Sequence, residues 1–151
     1  MAAGYFDEDE ENDPLIQIGL TGAADHPIQP IVCLIDTGFD GFLLLPEADA
    51  PTFKLITKHT LPVVYANRTT APRPLCVGFA EIGGVRKQSL VTLEANASHT
   101  LLGIMFPRVF ELRLLVDVPN RIIELATAPP PAQRIVGAPG GPQPLGPKRR
   151  P

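Results

Sequence analysis

Between Pro14 and Leu125 short apolar runs alternate with turn residues, and the spacing of the runs predicts strands. Ile16, Ile18 and Leu20 fall on alternate positions of the first run, Pro14 to Leu20, which gives it one face to bury. Thr21 to Pro27 reads as a turn, and Ile28 to Ile35 as a second strand with Pro30 marking an edge near its start. The two form a hairpin that ends at Asp36. Phe42 to Leu45 is a third apolar strand; Pro46 to Pro51, with proline at its first position and acids in its first turn, predicts about one helical turn. Leu61 to Tyr65 is a short strand, followed by a turn over residues 66–69 in which Asn67 best tolerates a left-handed backbone.

Thr70 to Ile82 carries Pro72 and Pro74, which cannot donate to a central ladder. A hairpin with those prolines in its returning arm needs an unpaired edge, as a projecting ribbon has. Gly83-Gly84 then marks a two-residue hairpin turn before Val85 to Leu93. After a loop from Glu94 to His99 come Leu101-Leu102-Gly103 and a short helix over Met105 to Glu111. Leu112 to Val116 and Arg121 to Leu125 flank Asp117-Val118-Pro119-Asn120, a further hairpin. Seven or eight strands and one short helix predict an all-β fold, a small closed or half-open β barrel.

Composition divides the chain into three. Residues 1–13 hold the acidic run Asp7 to Glu11 and read as a flexible arm. Residues 14–125 are the domain, and residues 126–151 turn to Pro, Gly and Ala and read as a disordered tail ending in Lys148-Arg149-Arg150-Pro151. In 151 residues there is room for one lobe. The net charge of -3 offers no basic surface for nucleic acid. No apolar run is long enough to span a membrane, and the first residues lack the pattern of a secretion signal. Cys33 and Cys76 fall in apolar strands and read as small buried hydrophobes of a reducing, cytoplasmic setting. His26, His59 and His99 stand singly, so neither a metal site nor a cofactor is implied.

The candidate chemistry is concentrated in Ile-Val-Cys-Leu-Ile-Asp-Thr-Gly-Phe-Asp-Gly-Phe-Leu-Leu-Leu-Pro, residues 31–46. Two apolar strands grip a polar loop. A carboxylate buried between Ile35 and Phe39 is costly unless hydrogen-bonded or protonated, so Asp36 needs either a partner or a task. Thr37 brings one hydroxyl, and Gly38 permits either a left-handed backbone or the close approach of another chain.

Hydrophobic-hydrophobic-Asp36-Thr37-Gly38, followed by an apolar strand and, downstream, by Leu101-Leu102-Gly103, resembles the retropepsin-like (clan AA) single-domain aspartic proteases. Phe39 is similar to the small bacterial members. The resemblance implies a homodimeric aspartic endopeptidase in which Asp36 of each chain supplies one carboxylate of a catalytic pair. Thr37 would then reach across the twofold axis and Gly38 would admit backbone and substrate. It further implies that Phe39, Asp40 and Gly41 contact a peptide or protein substrate. The hairpin tip, Tyr65, Ala66, Asn67 and Arg68, would belong to a flap that closes over it. Two other readings stay open. Asp36-Thr37-Gly38 also suits a tight β-turn with a capping aspartate, and Phe39 with the unusual hairpin tip suits a peptide-binding or assembly module that keeps the fold without the reaction.

Overall fold

The computed structural model describes residues 1–8, 12–64 and 68–127. Among these are eleven strands: β1 (Ala2–Ala3), β2 (Tyr5–Phe6), β3 (Pro14–Thr21), β4 (Gln29–Ile35), β5 (Leu43–Pro46), β6 (Thr57–Val64), β7 (Thr70–Ile82), β8 (Val85–Glu94), β9 (Leu101–Leu102), β10 (Leu112–Asp117) and β11 (Ile122–Thr127). A 3-10 turn, Glu47–Asp49, follows β5, and the helix α1 (Met105–Phe110) follows β9. The expected all-β fold with one short helix is what the chain adopts.

One sheet runs in the order β2-β3-β4-β9-β5-β8-β7-β6, and β3 also pairs with β7 through Gly19–Glu81, Leu20–Ala80 and Thr21–Phe79. The path from β3 through β4, β9, β5, β8 and β7 therefore returns to its start. Only three residue pairs make that seam, so the sheet is strongly curled rather than a regular barrel. A second, three-stranded sheet is ordered β1-β11-β10.

The core follows from period-two alternation. Ile16, Ile18 and Leu20 of β3 meet Cys33 and Ile35 of β4, Leu43 and Leu45 of β5, Cys76 and Ala80 of β7, and Val91 and Leu93 of β8, all buried. Removing a side chain such as Leu43 wholly from water stabilises the fold by about 1.5–3 kcal/mol. Both cysteines are free and buried, and burial pushes the Cys33 thiol up to about 12 from 9.0. A thiolate at Cys33 has no place in this core.

Three expectations need correction. Residues 2–6 are not a free arm. Ala2 and Ala3 pair with β11, Tyr5 and Phe6 pair with β3, and Phe6 is buried. Strands of two residues carry no periodicity, so the acidic run beside them dominated the reading. Likewise β11 continues through the buried Ala126 to Thr127, past the expected start of the tail; residues 128–151 lie outside the described residues. Finally, β6 begins at Thr57 rather than Leu61, and residues 57–62 are all exposed. Its ladder with β7 holds it, with a register shift between Thr57 and His59, where no apolar alternation could betray it.

The β6–β7 hairpin does project as the prolines required. β8 pairs with β7 only from Leu75 onward, whereas residues 70–74 of β7 pair with β6 alone, Pro72 opposite Pro62 and Pro74 opposite Thr60. Arg73 and Glu94 form an ion pair at the root of this ribbon, with side chains 21% and 13% exposed. Gly83 and Gly84 turn β7 into β8 with φ of 57° and 77°, the conformation that a tight hairpin turn demands.

Candidate functional site

The Asp-Thr-Gly loop leaves the end of β4 and enters β5, and β9 lies between those two strands, parallel to β4 and antiparallel to β5. Two segments 60 or more residues apart thus become one unit. Backbone hydrogen bonds lock them together. Leu34 N–H donates to Thr100 O at 2.8 Å and Asp36 N–H to Leu102 O at 3.1 Å. In the other direction Gly103 N–H donates to Phe42 O (3.1 Å), Ile104 N–H to Phe39 O (2.9 Å) and Met105 N–H to Gly41 O (3.1 Å). The loop's carbonyls are therefore satisfied by the start of α1, and few ways of moving it remain.

Packing reinforces the lock. An added Cβ on Gly103 would collide with the carbonyl oxygens of Gly41 and Phe39, so no other residue fits at this crossing. Phe42, Phe106 and Phe110 stack beneath, with ring centroids 5.0 Å apart for Phe42–Phe106 and 4.7 Å for Phe106–Phe110. This stack ties the exit of the loop to α1. Phe39 is half-buried, and its ring lies over Gly41 and Gly103. It folds back on its own loop.

Asp36 is half-buried rather than buried, so the anticipated solvation cost is partly avoided. Its Oδ1 accepts from Gly38 N–H at 2.9 Å, and its backbone carbonyl accepts from Phe39 N–H at 3.2 Å, closing a turn over Asp36 to Phe39. The local geometry of the capping-aspartate reading is therefore present, and it holds the carboxylate through Oδ1. Gly38 is not in the left-handed region, and an added Cβ would touch only Asp36 Oδ1, at 3.2 Å. Nothing among the described residues demands glycine there. Thr37, Gly38 and Asp40 are exposed.

Residues 36–41 are thus brought together on one rigid loop. Arg68 lies apart, exposed beyond β6 with φ of 63°, and no hydrogen bond joins it to that loop; Tyr65, Ala66 and Asn67 lie outside the described residues. Sequence reasoning missed the residues under the loop. Ile35, Leu102, Ile104, Pro107 and Leu114 line a cavity of about 190 Å³ beside Asp36 and Thr37. The alternation of Leu112, Leu114 and Val116 in β10 was the available signal for Leu114. A cleft of about 540 Å³ lies elsewhere, beside β3 and β4 between Leu15, Val32 and Phe53, and reaches none of residues 36–41. The described residues therefore offer a half-buried carboxylate on a hydrogen-bonded loop, with an apolar cavity of about 190 Å³ beside it.

No protein-family model matches this sequence, and neither does any curated protein. Among solved structures the fold is similar to that of EIAV protease complexed with the inhibitor HBY-793, at a TM-score of 0.51 and 15% sequence identity, over 73% of this chain and 99% of that one. No helix of the described residues is long and apolar enough to cross a membrane. The curled sheet, the strand threaded between β4 and β5, and this likeness together establish that the chain has a retropepsin-like fold.

Proposed function

We propose that this protein is an aspartic endopeptidase that works as a homodimer, with Asp36 of each chain forming one half of the catalytic pair. The observation that carries the reading is the Asp-Thr-Gly loop clamped by Leu101-Leu102-Gly103, with its carboxylate left accessible at the end of β4. Two carboxyls held close cannot both ionise cheaply, so they share one proton. The ionised member takes a proton from a water between them while the other donates its proton to the scissile carbonyl oxygen. The water oxygen bonds to the carbonyl carbon, giving a tetrahedral gem-diol. A proton then passes to the peptide nitrogen, the C–N bond breaks, and the pair returns to its shared-proton state. Thr37 and Gly38 would frame the partner's loop. Phe39, Asp40 and Gly41 would line the substrate, and the β6–β7 hairpin, with Arg68 and the adjoining residues 65–67, would act as the flap. Two free, buried cysteines suit a reducing, cytoplasmic location.

Replacing Asp36 by Asn tests the reading. The expected outcome is loss of at least a thousandfold in peptide cleavage with an unchanged dimer and unfolding midpoint; full activity in that variant would refute it. A second reading is favoured by the Gly38 hydrogen bond that Asp36 finds within its own turn: a dimer that binds peptides without cutting them. On that reading the wild-type protein binds peptides across acidic to neutral pH without hydrolysis, and transition-state mimics with a central hydroxyl bind no better than plain peptides.

A further inference from the structure

Strand β4 is apolar on both of its faces. Cys33 and Ile35 are buried in the core, while Val32 between them is 44% exposed and Leu34 is half-buried. Leu15 stands opposite Leu34 across the β3–β4 ladder, so apolar side chains gather on the face turned away from the core. A strand with one face in water alternates with polar residues, whereas a strand apolar throughout is ordinarily covered on both sides. Leu15, Val32, Leu34 and the buried Phe53 line the cleft of about 540 Å³.

The charge around that cleft has one sign. Asp7, Asp13 and Asp49 line it, and among the described residues no lysine or arginine does; its one basic side chain is His99, whose ring meets Ser98 Oγ at 2.9 Å. Asp49 is exposed and Asp13 half-buried, and neither makes an ion pair among the described residues. The opposite charge is segregated elsewhere in the chain. Residues 1–127 hold nine Lys and Arg against sixteen Asp and Glu, whereas residues 128–151, which lie outside the described residues, hold four Lys and Arg and no acid. Three of those four are consecutive, Lys148-Arg149-Arg150, and they directly follow Pro144-Leu145-Gly146-Pro147.

We infer that residues 144–150 of this same chain dock in the cleft. Leu145 and its flanking prolines cover Leu15, Val32 and Phe53, and the three cations face Asp7, Asp13 and Asp49. Apolar groups beside clustered positive charge match an apolar floor beside clustered negative charge, a combination that Arg134-Ile135-Val136, with a single charge, does not offer. Reach is sufficient. From Thr127 to Lys148 the chain can extend about 65 Å, at roughly 3.1 Å per residue, against roughly 35 Å across a domain of this size. Exposed ion pairs contribute little singly, but a tethered segment acts at an effective concentration on the order of millimolar, so weak contacts suffice. Leu34 and Thr100 both line the cleft and are hydrogen-bonded to each other, two residues short of Asp36 and Leu102, so the docked segment rests on the strands that carry the Asp-Thr-Gly loop without touching residues 36–41.

The test is an intramolecular disulfide in the full chain, read by mass spectrometry of the intact protein under mild oxidant. Cys33 and Cys76 are buried, which leaves an introduced pair to react alone. T52C, at an exposed position on the cleft, should bridge to L145C about tenfold faster than V85C, exposed at the start of β8 and away from the cleft. That preference should vanish when K148E, R149E and R150E are combined, return when D13K and D49K are added to them, and weaken several-fold in about 0.5 M sodium chloride, with circular dichroism showing a folded chain throughout. Equal bridging of the two pairs, or a preference that survives the triple reversal, would overturn the inference. So would a bridge that joins two chains, which would seat another copy's segment in the cleft, or a loss produced by R134E and not by the triple reversal, which would make the other basic segment the occupant. The protease reading stands or falls separately, since no variant here alters residues 36–41.

Discussion

At the scale of single residues, the glycines of the site differ in what they are for. Gly103 crosses the loop where an added methyl meets two backbone oxygens that are themselves hydrogen-bonded, so the backbone cannot yield cheaply. Gly103→Ala is expected to cost about 1–3 kcal/mol, the range of an overpacked core site, read as a lower urea midpoint. Gly38→Ala touches only a carboxylate oxygen at 3.2 Å, so its midpoint should stay within about 1 kcal/mol of wild type. If cleavage nevertheless falls in the Gly38 variant, the crowding comes from outside the chain, from a partner or a substrate. The sequence revealed that Asp36, Thr37 and Gly38 form a loop between apolar strands. It could not reveal that Gly38 has room around it, because the vicinity of that residue is set by groups far along the chain.

Among the elements, the β6–β7 hairpin is the one whose stability is most separable from the core. Beyond Leu75 it is a two-stranded ribbon, and the Arg73–Glu94 pair bonds its root to the end of β8. Both side chains are largely screened from water, so removing one charge leaves the other poorly solvated. Glu94→Gln should cost about 1–2 kcal/mol in local opening, measured as faster amide hydrogen exchange across residues 57–64, with little change in exchange from the core strands. Equal acceleration throughout would show that the pair supports the whole fold instead. The projecting character of this hairpin was legible, because prolines exclude themselves from central ladders whatever the tertiary context. Its length was not, since residues 57–62 are exposed and an exposed strand has no apolar rhythm. Leu101-Leu102-Gly103 was legible as an important element, but its insertion between β4 and β5 is a crossover that local pattern does not encode.

For the molecule as a whole, the first six residues close a sheet that would otherwise be open on both sides. β1 covers the edge of β11, Gly4 N–H donates to Ile123 O at 2.9 Å, and the Arg121 guanidinium sits 5.5 Å from the Phe6 ring centroid while donating to Asn12 Oδ1 at 2.9 Å. Deleting residues 1–6 removes a buried phenylalanine, two strand pairings and a cation–π contact. The loss should reach about 3–5 kcal/mol by urea unfolding; a loss under 1 kcal/mol would restore the picture of a dispensable arm. The strand-rich fold could be read in advance because β3 alternates and because β4 and β5 are short apolar runs bounded by turn residues, signals that do not depend on partners. The role of the first residues escaped because two-residue strands exist only through what they pair with.

The prolines of the hairpin have one more consequence. Pro62 faces Pro72, and neither nitrogen can donate toward the other, so the ribbon is least disturbed when those positions point outward. An intruding strand that tried to zip along it would find acceptors without the matching donors, and a fibril could not grow from there. A stalk that stands clear of its sheet is thereby kept from becoming glue between molecules.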